Sequence, residues 1–261
     1  MDTTKFPSGR KIFYFFPSGP YHQQVVKRII RDEYEIYTLS DYERGLPLIF
    51  HYNGALLFFH IDELKDYGHI RAVLHDFCRQ SANRSIELII LTRDGDRAEE
   101  LRAFMKEMSN CRIILLEEDP EKSAEELLDL LSGFEARGQR RYVRFGSSKD
   151  EVALIEFVHK SKEVSAGVHD ISSVGLSFSL TDGPGLSIRS HINNFDIEIS
   201  ERIEGLSGTV TIKRKLPDGS VLYVLMFEKG ISKELREKLH TIIHGSLQRQ
   251  FNRRLDSVAV P

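Results

Sequence analysis

Two stretches carry side chains whose types and spacing suit an anionic, hydrogen-bonding ligand. The first is RGQRRYVRFGSS (137–148), which places Arg137, Arg140, Arg141 and Arg144 within eight positions. A guanidinium is a planar fork of donors that pairs in bidentate fashion with a phosphate or with O6 and N7 of guanine. Arginines closing a helical pattern also complement its dipole and otherwise sit in solvent, so this stretch alone leaves both uses open. The second is HDISSVGLS (169–177), in which Asp170, Ser172 and Gly175 form D-x-S-x-x-G. Residues two apart on an extended segment project to one side, and a nearby glycine permits close approach to the backbone. A carboxylate so placed can accept the N1–H and N2–H donors of a guanine. The same residues also suit an Asx or Ser turn between strands.

Both stretches need elements to hold them. After Gly138 strand-like runs follow in series: EVALIEFVHK, EVSAGVHDI, GLSFSLT, FDIEIS, GLSGTVTIKRKL and SVLYVLMFE. Pro217-Asp218-Gly219 supplies hairpin-turn chemistry between the last two, because proline presets φ and glycine tolerates φ > 0. Six closely spaced strands read as a small antiparallel barrel. A final helix begins near Ser232, with Leu235, Leu239, Ile242, Leu247 and Phe251 as an apolar stripe for the barrel or for a partner helix. Ahead of the arginines the pattern differs. KIFYFFP, YEIYTLS, GALLFFHI, IELIILT and CRIILLEED are near-continuous apolar runs that alternate with amphipathic ones, the mark of a parallel sheet covered on both faces. This is a (βα)5 order, and Ser123 with Glu126 reads as the capping-box start of its last helix. The expected division is 1–135, α/β, and 136–261, barrel plus C-terminal helix, with the arginines at the junction.

Bulk properties narrow the partners. The 261 residues, 41% hydrophobic and 29% charged, suit two soluble globular domains. No apolar run approaches the roughly 18 residues of a membrane span, and the N-terminus has no secretory pattern, so membrane insertion is not expected and a cytoplasmic location is. The net charge of −3 is uneven: residues 1–135 hold 17 Lys+Arg against 24 Asp+Glu, and residues 136–261 hold 19 against 15. A balance of +4 in the second half favours an anionic ligand but is too small for a duplex nucleic-acid binder. Cys78 and Cys111 are far apart and read as buried thiols, without disulfide or thiolate-metal spacing.

R-x-x-x-R, a strand, then D-x-S-x-x-G opening the next strand, with more barrel strands and a C-terminal helix, resembles the PilZ family over roughly residues 136–252. The signature positions are Arg140, Arg144, Asp170, Ser172 and Gly175. The resemblance implies a six-stranded antiparallel barrel that binds cyclic di-GMP and is a sensor, not an enzyme, with no cofactor besides that ligand. It implies phosphate and guanine-edge contacts for Arg140 and Arg144, guanine and phosphoribose contacts for Asp170 and Ser172, and room for the ligand at Gly175. Arg137-x-x-x-Arg141 fits the same spacing; the Arg140/Arg144 register leads more directly into the barrel. Arg141 and Gln139 stand as additional contacts, and Gln139 sits where one-versus-two ligand stoichiometry is decided. Ligand binding at the linker would then reorient the domains and control an unidentified protein partner in motility, attachment or virulence. The alternative is a barrel that docks to proteins and binds no nucleotide.

The first half resembles the receiver domain of response regulators. That family's phosphorylatable Asp should end the third strand, where His60 stands instead, with Asp62 in the loop beyond. Pro17, Ser18 and Gly19 occupy the place of its acidic pair, Thr92 ends the fourth strand, and no Lys ends the fifth. The expectation is a receiver-like module without phosphotransfer, used for interaction; this domain and the C-terminal helix are the candidate surfaces for homo-oligomers. His240 and His244 have i, i+4 spacing but no third ligand in view, so no metal site is expected.

Overall fold

The computed structural model describes residues 9–258 except 63, 65, 82–83 and 182–184. The chain forms two compact units. One runs to Arg141 and takes in the chain from Phe251 onward, and the other is Tyr142–Gln250.

In the first unit the apolar runs become five strands: β1 (Ile12–Phe15), β2 (Ile36–Leu39), β3 (Leu56–His60), β4 (Glu87–Thr92) and β5 (Cys111–Leu115). They pair in parallel in the order β2-β1-β3-β4-β5. Between them lie α1 (Gly19–Arg31), α2 (Tyr42–Ile49), α3 (Tyr67–Ser81) and α4 (Gly95–Phe104), and α5 (Pro120–Gly133) follows β5. All four residues of β1 are fully buried, as a strand covered on both faces requires. Helix starts are set by aspartates: Asp41 accepts from the Arg44 N–H and Asp94 from the Arg97 N–H, both at 3.1 Å. The expected start of α5 moves. Asp119 caps it by accepting from the Glu121 N–H at 3.0 Å. Ser123 is buried within the helix, where its Oγ accepts from the Glu117 N–H at 2.8 Å and meets the Tyr21 hydroxyl at 2.7 Å. Of the two thiols, both free, Cys78 on α3 is buried and Cys111 of β5 only partly so.

The expected boundary at 135/136 shifts for a similar reason. Ala136 is buried and its carbonyl accepts from the Arg10 N–H at 2.7 Å. Arg137 Nη2 donates to the Asp32 carbonyl at 2.6 Å and its guanidinium lies 4.8 Å from the Tyr34 ring. These bonds hold 136–137 in the first unit. The end of the last helix, α6 (Lys233–Asp256), is also part of that unit: the Phe251 ring packs 5.3 Å from Phe13 and 4.9 Å from Tyr37.

The second unit is a closed barrel. β7 (Ala153–His159), β8 (Lys162–Ser172), β9 (Gly175–Leu180), β10 (His191–Glu198), β11 (Arg202–Lys215) and β12 (Val221–Phe227) pair antiparallel in the ring β8-β7-β10-β11-β12-β9, which closes through β9 onto β8. A two-residue strand, β6 (Phe145–Gly146), adds to the outer edge of β8. Inward residues alternate along the strands, as Ala153, Ile155 and Phe157 do on β7. The β7–β8 hairpin turns through Lys160 and Ser161, both at positive φ, in the two-residue geometry that matches strand twist. Along α6 Leu239, Ile242, Leu247 and Phe251 are buried within this one chain, so the apolar stripe is covered without a partner helix. No helix among the described residues is long and apolar enough to cross a membrane.

Gly175 opens β9 opposite Met226 of β12, and a Cβ there would lie 2.4 Å from the Leu225 carbonyl oxygen. Backbone cannot yield as a side chain can. Gly175→Ala is therefore expected to destabilise the barrel by about 1–3 kcal/mol, read as a lower urea midpoint; an unchanged midpoint would contradict the close-approach account.

Candidate functional site

Arg144 and Asp170 meet on one edge of the barrel, where the hairpin carrying Ser172 and Gly175 begins. β6 pairs Phe145 with Ile171 and Gly146 with Asp170, so the residue preceding it, Arg144, is carried to the end of β8. The β8–β9 ladder slips between Val168 and Asp170, a bulge of the kind that re-aims a side chain. Arg144 Nη1 lies 3.7 Å from Asp170 Oδ2, with the side chains 51% and 40% exposed. An exposed pair at this distance contributes at most about 0.5 kcal/mol, since water screens it and two side chains must be ordered. The pair is thus a loose one, whose members can turn to another ion at little cost.

Ser172 and Gly175 are committed to the hairpin that follows. Ser172 is 6% exposed, and its Oγ donates to the Gly175 carbonyl at 3.1 Å and lies 3.5 Å from the Val174 N–H. This closes the Ser173–Val174 turn and leaves the hydroxyl acceptor capacity but no second proton. The missing side chain at Gly175 makes way for the backbone of β12. Arg140 and Gln139 are exposed and engage no partner among the described residues. Arg141 is exposed as well. Arg137 is held by the Asp32 carbonyl and the Tyr34 ring. His240 and His244 are buried on α6, and no metal-binding cluster occurs among the described residues.

Further residues, unmarked by any local pattern, support β6. Gln250 and Arg249 of α6 bond to the segment 146–151. A separation of about a hundred residues leaves no local signal of such contacts.

No protein-family model matches the chain, and no curated protein does. Solved structures do resemble it. The PilZ domain with cyclic di-GMP of YcgR from Escherichia coli is similar at 17% identity and a TM-score of 0.38, over 46% of this chain and 99% of that one. The inhibitor of motility MotI/DgrA of Bacillus subtilis is similar at 20% identity and 0.36, over 44% of this chain and 53% of that one. The PlzA protein of Borreliella burgdorferi, in complex with cyclic di-GMP, is similar at 11% identity and 0.29, over 48% and 57%. This chain thus spans about half the length of the latter two. At these identities and scores the likeness assigns neither family nor ligand.

The carboxyl end of the first unit's sheet holds a separate polar network. His60 ends β3 and is buried, with Nδ1 3.1 Å from the Phe16 carbonyl and Nε2 3.3 Å from Asp62 Oδ2. Asp62 accepts from the Thr92 hydroxyl at one oxygen and from the Arg93 N–H at 2.8 Å at the other. Burial alone would raise the Asp62 carboxyl, but the hydrogen bonds from Thr92 and Arg93, with the His60 ring close by, together outweigh it and bring its pKa down to about 2. A carboxyl lowered on folding adds stability above its ordinary value near 3.8, and that stability is lost as pH falls toward 2. Because the group is partly solvated, the contribution is about 1 kcal/mol. Urea unfolding of Asp62→Asn should lie below wild type by that amount at pH 6, with the gap closing as pH drops from 4 toward 2. A gap independent of pH would show that ionised Asp62 contributes nothing.

Proposed function

We propose that the barrel is a PilZ-type receptor for cyclic di-GMP and that the chain is a signalling effector, not an enzyme. The observation that carries this is the meeting of Arg144 and Asp170, 26 positions apart, at 3.7 Å on an open barrel edge. The ligand pairs phosphates with guanine edges, and the edge offers a donor fork beside a carboxylate acceptor. In this reading Arg144 leaves Asp170 for a phosphate or the O6/N7 edge, and Asp170, released, accepts from N1–H and N2–H of a guanine. Arg140 closes from the segment before β6, Ser172 offers its remaining lone pair, and Arg141 and Gln139 add contacts. Gathering 139–144 onto the barrel orders the stretch joining the two units, and the proposed output is a change in their disposition that a protein partner senses, in motility, attachment or virulence. The cell interior is the expected place of action.

One observation favours a second reading. Ser172 and Gly175 are both accounted for by the β8–β9 hairpin, so a barrel that only docks to proteins would retain them too. Calorimetric titration with cyclic di-GMP separates the two. Saturable binding is expected, about five- to a hundredfold weaker for Arg144→Ala and Arg140→Ala and nearly unchanged for Arg137→Ala. No saturable binding by the wild type would sink the receptor reading.

A further inference from the structure

Arg144 is presented by a strand of only two residues, and so short a pairing fixes a side chain only if the chain beyond it is tied down. The ties come from α6. Gln250 Nε2 donates to the Gly146 carbonyl at 3.1 Å and lies 3.5 Å from Ser148 Oγ. One residue earlier, Arg249 donates from Nε at 3.0 Å and Nη2 at 2.7 Å to a single oxygen of Glu151, a carboxylate only 8% exposed. Arg249 Nη2 also reaches Ser246 Oγ at 2.7 Å. The Glu151–Arg249 pair thus pins the turn after β6. That turn is closed in its own right: Ser148 N–H donates to the Glu151 carbonyl at 3.0 Å, and Ala153 N–H to Ser147 Oγ at 3.2 Å. Gln250 then acts on the last residue of β6 itself, two positions from Arg144.

We propose that Gln250, backed by Arg249, is a positioning residue for Arg144: through the Gly146 carbonyl, α6 keeps β6 paired with β8 and so keeps the guanidinium beside Asp170. Its effect on affinity rests on the receptor reading, whereas its effect on β6 does not. Gln250 is the residue to change, because removing Arg249 would strand Glu151 and threaten the fold.

Two measurements on the full chain decide it. In ligand-free Gln250→Ala, hydrogen exchange at the Ser147 N–H, which donates to the His169 carbonyl across β6 and β8 at 2.9 Å, should be about three- to tenfold faster, with β10–β12 unchanged. Unchanged exchange at Ser147 overturns the proposal whether or not the ligand binds. In titration with cyclic di-GMP, Gln250→Ala should bind about three- to tenfold more weakly. Gln250→Lys, which restores a donor, should recover most of the loss, and Gln250→Ala added to Arg144→Ala should cost nothing more. Losses that multiply in the double variant would show Gln250 acting apart from Arg144. A wild type that does not bind defeats the receptor reading and leaves the exchange result to judge the positioning claim.

Discussion

The short pairing of Phe145 and Gly146 with Ile171 and Asp170 is the contact on which the site depends. Without it the arginine segment and the D-x-S-x-x-G turn are two unrelated surface features. With it, one guanidinium and one carboxylate share an edge of the barrel. The rest of the second unit supports it: a closed ring holds β8, a bulge precedes Asp170 near its end, and α6 bonds to the turn after β6.

The weakness of the Arg144–Asp170 pair is part of how such a site would work. A buried, bidentate pair would resist exchange, since its ions have been desolvated for one another. This one is half-exposed and long, so each member retains most of its hydration and can change partner. A phosphate dianion-equivalent charge, spread over two phosphodiesters, would compete well for the guanidinium. The carboxylate then stands free as an acceptor, which is what a guanine Watson–Crick edge requires.

Much of the architecture was legible because it rests on local pattern. The near-continuous apolar runs from Ile12 to Leu115 indicate a parallel sheet, and the alternation in β7 and the Pro217–Gly219 turn indicate hairpins. What escaped depends on neighbours. Lys160 and Ser161 take positive φ without glycine or asparagine, because the strands on either side impose the turn. Ser123 looks like a cap but serves Tyr21 and Glu117, and Asp119 takes the cap four residues earlier. Within the site, Asp170 and Ser172 are legible through their spacing, but not that the hydroxyl faces its own turn or that Gly175 makes way for the backbone of β12. The roles of Arg249 and Gln250 were invisible, since nothing in their neighbourhood marks a contact with residues 146–151.

The most direct test of the partner exchange follows the Arg144 guanidinium itself. In nitrogen-15 spectra of the full chain titrated with cyclic di-GMP, the Arg144 Nε–H resonance should shift to saturation and its exchange with water should slow, as a loosely held fork becomes a bound one. A resonance that does not move while the nucleotide binds would contradict the account.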